Sequence, residues 1–260
     1  MNKIQSSRCL IQPEIAYGSP VRKPQAPEIP PLAKVIPFNR GNSAPGLASY
    51  LNKITNADCT TEMRNLPDGC IDLVVTDPPY LVHYRDRTGR TIANDDNASW
   101  VLPAFSQAYR LLKPDSFCVS FYGWNKIDVF LSAWRKSGFY PVGHFTWTKS
   151  YASTIGFTEM RHECAYLLAK GRPSKPVNPP SDVLPWKYSG NRLHPTQKPV
   201  SALTPLIEAY SRSGDIVLDP FAGSGTTGIA ARTCARQFVL FEMDRNYYEA
   251  ANERLRTDRN

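Results

Sequence analysis

From about residue 50 onward the chain alternates short β-branched runs with segments of helical period, and few folds accept that alternation. Ile71 to Thr76 (IDLVVT) is the clearest strand, short and β-branched as a buried strand of a parallel sheet should be. Further strands are expected at Lys53 to Ala57, ending at Asp58, and at Ser116 to Tyr122, His144 to Thr148, Cys164 to Ala169, Ile216 to Leu218 and Phe238 to Phe241. Val101, Phe105, Ala108, Tyr109 and Leu112 share one helical face, stopped by Pro114, and Ile127, Phe130, Leu131 and Trp134 share another, ended by Gly138. Leu203, Leu206, Ile207 and Tyr210 make a third, in which Pro205 is tolerable only in the first turn. A helix follows from about Thr226, and Asp244 can cap a last one carrying Tyr247, Tyr248, Ala251 and Leu255. Strand and helix in alternation predict an α/β fold, a mostly parallel twisted sheet with helices on both faces.

At 260 residues this is one domain, or one domain with an appendage. Lysine and arginine outnumber aspartate and glutamate by 31 to 23, a net charge of +8 that suits a polyanionic partner. No run of about 18 apolar residues is present, so no membrane-spanning helix is expected, and the N-terminus has no apolar signal core, so export is not expected either. The six cysteines form no C-x-x-C pair and the four histidines are scattered. No metal site is expected, and the thiols read as reduced ones of a cytoplasmic protein. Residues 1–45 hold eight of the 23 prolines, and six Lys or Arg against two Glu. Proline breaks both helix and ladder, so this stretch reads as an extended or flexible arm, either a basic one lying on phosphate or a solvated tail.

Three segments carry chemistry. Asp77-Pro78-Pro79-Tyr80 directly follows the strand Ile71 to Thr76, and open parallel sheets bind ligands beyond the carboxyl ends of their strands. Two prolines make the turn rigid and leave carbonyls free while supplying no N–H. A rigid acceptor corner beside an aromatic ring suits an exocyclic amino group on a flat ring: the ring stacks on Tyr80, and the amino hydrogens go to Asp77 and a proline carbonyl. The second segment, Asp219-Pro220-Phe221-Ala222-Gly223-Ser224-Gly225-Thr226-Thr227, joins a short strand to a helix. Gly223 and Gly225 let backbone approach a ligand, and the helix start offers N–H groups to a carboxylate. It lacks the third glycine of the dinucleotide fingerprint and the lysine of a P-loop. With Asp219 for an ammonium, the turn reads as an amino-acid subsite. Glu242, ending FVLFE, can accept both hydroxyls of a ribose. An amino acid and a ribose, completed by adenine, make S-adenosylmethionine.

These residues resemble the amino-methylating DNA methyltransferases, and His194-Pro195-Thr196-Gln197-Lys198-Pro199, just ahead of the glycine segment, strengthens the likeness. DPPY precedes DPFAGSGTT, as in the circularly permuted β group, and the resemblance spans roughly residues 50 to 257. It implies the S-adenosylmethionine-dependent, Rossmann-like methyltransferase fold over residues 46–260, with short DNA-recognition loops at about 83–97 and 150–195. It implies that Asp77, Pro78, Pro79 and Tyr80 bind a flipped base. Asp219, Phe221, Gly223, Ser224, Gly225 and Thr226 would surround the methionine part of the cofactor, and Glu242 would hold its ribose. Asp58 matches the acid that contacts the cofactor adenine, although Ala57 stands where the family usually has glycine. Gln197 and Lys198 match the segment along the cofactor. Trp147 and Lys149 resemble a W-x-K strand end near the base pocket, Trp147 being equally readable as core.

The implied reaction is direct methyl transfer to adenine N6 in a short sequence of double-stranded DNA. Accepting the amino hydrogens localises the nitrogen lone pair, the methyl must lie in line at about 3 Å, and the base must leave the duplex. N4-cytosine is the alternative, since both chemistries use the same acceptors, though those enzymes more often carry Ser in place of the Asp. A C5-cytosine enzyme needs a cysteine after proline, which none of the six provides. A protein glutamine methyltransferase would have N-P-P-Y after its glycine motif, a non-catalytic DNA-binding module would not need the acceptors, and the glycine spacing is wrong for a dehydrogenase. Arg85, Arg87, Arg90 and His194 join Trp147 and Lys149 as candidate DNA contacts. The short insertions imply a short target or help from a second subunit in a homodimer. Such a protein belongs in the cytoplasm, nucleoid-associated, encoded by a bacterium, phage or plasmid.

Overall fold

The computed structural model of the chain describes residues 46–86, 88–153, 156–188, 190 and 193–258. The expected N-terminal arm over residues 1–45, and Arg87 among the candidate DNA contacts, lie outside the described residues.

Among the described residues eight strands form one sheet: β1 (Lys53–Asn56), β2 (Ile71–Thr76), β3 (Leu112–Phe121), β4 (Tyr140–Thr148), β5 (His162–Lys170), β6 (Val183–Pro185), β7 (Ile216–Asp219) and β8 (Gln237–Glu242). Their order is β1-β8-β7-β2-β3-β5-β4-β6. The pairs β1/β8, β8/β7, β7/β2 and β2/β3 are parallel. β5 runs antiparallel to both β3 and β4, so the sheet is parallel on one side and mixed on the other. The helices are α1 (Cys59–Glu62), α2 (Val101–Leu111), α3 (Ile127–Ser137), α4 (Val200–Tyr210), α5 (Thr226–Thr233) and α6 (Arg245–Thr257).

The core divides along the two faces of the sheet. Phe105, Leu111, Phe130 and Trp134 of α2 and α3 pack with Ile71 and Val74. Leu203, Ile207, Ala230, Ala231 and Leu255 of α4, α5 and α6 pack with Leu73 and Val75. Leu73, Val74 and Val75 of β2 therefore alternate between opposite layers, as a strand buried on both faces requires, with the alternation broken at Ile71 where the register shifts. Gly138 closes α3 at φ 104°, a left-handed conformation that favours glycine, and donates to the carbonyls of Arg135 and Trp134. Asp244 caps α6 by accepting from the N–H groups of Asn246 and Tyr247.

Three details differ from the sequence reading. β3 starts at Leu112 and contains Pro114, which is tolerated because the register with β2 breaks between Ile71 and Leu73, where the β3 partner jumps from Leu112 to Phe117. α4 starts at Val200, so Pro205 sits inside the helix and not in its first turn. A helix-interior proline costs about 3 kcal/mol, which burial of Ala202, Leu203, Leu206 and Ile207 offsets. Within the segment at about 150–195 that reads as a recognition loop, Val183–Pro185 pairs with Thr146–Thr148 at the sheet edge.

Candidate active site

β2 and β7 are parallel neighbours, but the chain leaves them in opposite directions. α2 carries it from β2 to β3, and α5 carries it from β7 to β8 on the other side. The helices lie in different layers. This is a topological switch point, where a crevice opens beyond the strand ends. DPPY follows β2 there and the glycine segment follows β7. The Thr76 hydroxyl donates to Asp219 Oδ1 at 2.9 Å, directly joining the two segments.

Both Asp219 oxygens are engaged within the protein. Phe221 N–H donates to Oδ1 at 3.0 Å and the Thr227 hydroxyl to Oδ2 at 2.6 Å. Burial raises its carboxyl to about 6 against these bonds. Glu242 accepts the N–H of Gly223 on Oε2 and that of Asp244 on Oε1, each at 2.8 Å. Burial lifts it to about 7. Asp58 caps α1, accepting from Thr61 N–H at 3.0 Å. Asp58, Asp219, Glu242, Phe221, Gly223, Ser224 and Thr226 all line one cleft with Asp77–Tyr80, Gln197 and Lys198.

His194 belongs to this cleft as well. Its ring meets Tyr247 edge-on with centroids 4.4 Å apart and lies about 3.5 Å from where a Gly223 Cβ would stand. Burial, with Lys198 and Arg90 nearby, lowers the imidazole to about 4, so it is neutral at pH 7. Its ring contacts are with Tyr247 and the glycine turn, and Arg90 of the 83–97 segment acts on its charge.

Asp77 sits in a buried charge cluster. Lys198 Nζ is 2.7 Å from Asp77 Oδ2, and the Tyr80 hydroxyl donates to Asp77 Oδ1 at 2.9 Å. The ammonium also lies over the rings of Tyr80 (5.2 Å) and Phe121 (5.1 Å). Glu163, the second residue of β5, completes the cluster: Tyr80 reaches it at 3.4 Å, Lys198 at 3.9 Å, and Lys149 is bonded to its Oε1. Burial pushes the Glu163 carboxyl up, but Lys198 and Lys149 outweigh it and hold the group below its ordinary range. Burial raises Asp77 despite Lys198, while the Asp77 and Glu163 charges overcome desolvation and raise the Lys198 ammonium. Lys198, matched in the sequence to a segment along the cofactor, is thus bound to the acceptor corner.

Two supporting residues escaped the sequence reading. The buried Asp95 accepts the N–H groups of Leu81 and Tyr84 at 2.7 and 2.6 Å, pinning the chain after DPPY where Leu81 and His83 have φ of 63° and 53°. Gly123 follows β3 without positive φ, yet a Cβ on it would stand 2.8 Å from the Tyr80 carbonyl oxygen. Only a residue without a side chain lets the tyrosine lie there.

Of the remaining candidates, Trp147 is 0 % exposed and stacks on Phe121 at 4.9 Å, so its position is the core one and it presents no surface to DNA. Arg85 is exposed and bridges to Thr91. Arg90 pairs with Asp86 at 2.7 Å and lines a wider cleft with Lys149, Trp124, Tyr151 and Tyr188. That cleft shares Tyr80, Gln197 and Lys198 with the first, so the two meet at Tyr80, while Asp77, Pro78 and Pro79 line the first alone.

A crevice at a switch point, with an acidic Pro-Pro-Tyr corner on one strand and a glycine turn on the next, defines a nucleotide-type transferase site. The chain belongs to the DNA methylase family, whose model matches residues 71–253. Over 205 residues it is 50 % identical to YubD of Escherichia coli strain K12, which bears a provisional methylase name, covering 79 % of this chain and 90 % of that one. It is 27 % identical to the type II methyltransferase M.HinfI of Haemophilus influenzae, covering 80 % and 69 %. Among solved structures, the complex of M1.HpyAVI with S-adenosylmethionine superposes with a TM-score of 0.63 at 25 % identity, covering 78 % of this chain and 98 % of that one. The fold is that of the S-adenosylmethionine-dependent DNA methyltransferases, and S-adenosylmethionine is the cofactor. The cleft fits it. Gln197 Oε1 is buried there without a partner, Gly223 has φ of 50°, and each Glu242 oxygen carries one bond and keeps acceptor capacity, whereas Gly225, expected at the cofactor, faces Ala251 and Leu255 of α6 and does not line the cleft.

Proposed function

We propose that this protein methylates the N6 amino group of adenine in double-stranded DNA, taking the base flipped out of the helix. The observation that carries the reading is the junction of the two strand ends, which puts the Asp77–Tyr80 corner and the turn at Gly223 and Ser224 into one cleft, tied by Thr76 and Asp219. Bound S-adenosylmethionine supplies an electrophilic sulfonium methyl group.

The chain's own groups do the rest. Asp219, the turn after it and Gln197 would hold the methionine end, Glu242 would take the ribose hydroxyls, and Asp58 would meet the adenine. Tyr80 offers a ring for the extruded base, which offsets part of the few kcal/mol that unstacking costs. Asp77 and the Pro78 carbonyl accept the two amino hydrogens and so turn the nitrogen lone pair toward the methyl group. Direct transfer then depends on holding the reacting atoms about 3 Å apart and in line. DNA lies along the wider cleft, where Arg90 and exposed aromatics such as Trp124 face the phosphates and the opened duplex, whereas Lys149, 6 % exposed and held on Glu163, supports the acceptor corner.

The test is incubation of the purified protein with methyl-labelled cofactor and bacterial genomic DNA, then digestion to nucleosides. Label in N6-methyladenine bears the reading out. Label in N4-methylcytosine replaces adenine by cytosine on the same acceptors, and no label in DNA refutes the function.

A further inference from the structure

We propose, resting on the function just stated, that Glu163 is a positioning residue that receives the Lys198 ammonium when the target amino group takes its place on Asp77. In the free protein Asp77 is already occupied, by Lys198 at 2.7 Å and by the Tyr80 hydroxyl at 2.9 Å. An arriving amino group must donate to the same carboxylate. An ammonium left on that carboxylate would also place a positive charge beside a nitrogen that becomes positive as the methyl bond forms. The ammonium therefore has to leave Asp77, yet Lys198 is only 7 % exposed and flanked by the rings of Tyr80 and Phe121, so water cannot receive it.

Glu163 is the second acceptor within reach. Its Oε2 lies 3.9 Å from Lys198 Nζ, and its Oε1 is held by Lys149, which fixes the carboxylate in place. The Tyr80 hydroxyl lies between the two carboxylates, 2.9 Å from Asp77 and 3.4 Å from Glu163, and its one proton serves one of them at a time. A small movement of the Lys198 chain end exchanges one ion pair for the other, within a cluster of two carboxylates and two ammoniums that stays neutral throughout. No bond forms or breaks in this step.

The test is single-turnover methyl transfer by Glu163→Gln, alongside wild type, on DNA that the wild type methylates, with cofactor affinity measured by calorimetry. With the second acceptor neutralised, Lys198 stays on Asp77. The expected result is a transfer rate at least about tenfold lower at pH 7.5, with cofactor affinity unchanged within about twofold. Deprotonating Lys198 is then the way to free Asp77, so the variant's rate should climb by up to about tenfold per pH unit from 7 to 9 while wild type stays flat. The groups facing Lys198 are Asp77, Tyr80, Glu163, Tyr151 and His194, with Lys149 beyond Glu163. His194 titrates near 4, and burial lifts both tyrosines above their ordinary range, so none of these three produces that slope. The double variant Glu163→Gln/Lys149→Met keeps the cluster neutral and guards against misfolding; it should stay slow with the same pH slope. Wild-type rates in Glu163→Gln, or full recovery in the double variant, would overturn the proposal by leaving Glu163 only the task of balancing Lys149. If wild type itself transfers no methyl group to DNA, the proposed function falls first.

Discussion

Lowering the pH from 8 to 6 should weaken cofactor binding through one side chain. Glu242 ends β8 with its carboxyl raised to about 7 by burial and by the nearby Asp244 and Asp219 charges, while the N–H groups of Asp244 and Gly223 oppose the shift. A ribose donates its hydroxyls best to the ionised form. With a midpoint near 7, about nine-tenths of the free protein is ionised at pH 8 and about one-eleventh at pH 6. Affinity should therefore fall about tenfold, or about 1.4 kcal/mol, and binding at pH 7 should release about half a proton. Asp219, near 6, adds about a further twofold if its charged form is also required. Calorimetry at both pH values, in buffers of different ionisation enthalpy, gives affinity and proton release together. Glu242→Gln is the control: its amide must turn an N–H toward the backbone N–H of Gly223 or Asp244, so it should bind less well at pH 8 and lose the tenfold part of the dependence, keeping only what Asp219 and the ligand contribute. The ligand's own amine titrates identically for both proteins, so the difference between them isolates Glu242. Equal pH dependence in wild type and variant would remove the ribose assignment.

Asp77→Ala should lower transfer by about 10²–10³-fold or more, the scale of losing one oriented hydrogen-bonding group in a dry site, while cofactor affinity holds; near-normal turnover in a single-turnover assay would discredit the acceptor role. Gly123→Ala places a methyl group 2.8 Å from the Tyr80 carbonyl oxygen and 2.9 Å from its Cβ. It should cut kcat by about tenfold or more at unchanged cofactor Kd, since displacement at the reacting end is punished steeply. Thr76→Val removes one of the bonds holding Asp219 and should cost about 1 kcal/mol in a denaturant titration while also weakening cofactor binding. A change in stability alone would confine Thr76 to packing.

The parallel half of the sheet was legible because its strands announce themselves: IDLVVT is bounded by Cys70 and a Pro-Pro turn, and Gly138 and Asp244 mark helix ends by chemistry that acts locally. The exceptions were decided by partners distant in sequence. Pro114 sits within a strand because the register slips there, and Pro205 sits within a helix because its apolar neighbours are buried. The same division holds at the site. The residues of DPPY and of the glycine segment are adjacent in the chain and could be read together. Glu163 lies one residue before the run expected as a strand, and its charge gains meaning only beside Lys149 and Lys198. Trp147 could be assigned to the core only from its stacking on Phe121, which comes from the neighbouring part of the sheet.

Chain order matters little to this site, and the sheet explains why. What the chemistry needs is that the strand before the acidic corner and the strand before the glycine turn be parallel neighbours whose helices depart to opposite layers. β2 and β7 meet that condition although most of the chain separates them, and the hydroxyl of Thr76 closes on Asp219 across the gap. The connection out of β2 carries α2 to one layer, and the connection out of β7 carries α5 to the other. Cutting and rejoining the chain elsewhere would leave both the crevice and the bond intact. The order DPPY before DPFAGSGTT is therefore compatible with the same cleft as the reverse order, because the crevice is a property of neighbouring strands and not of sequence direction.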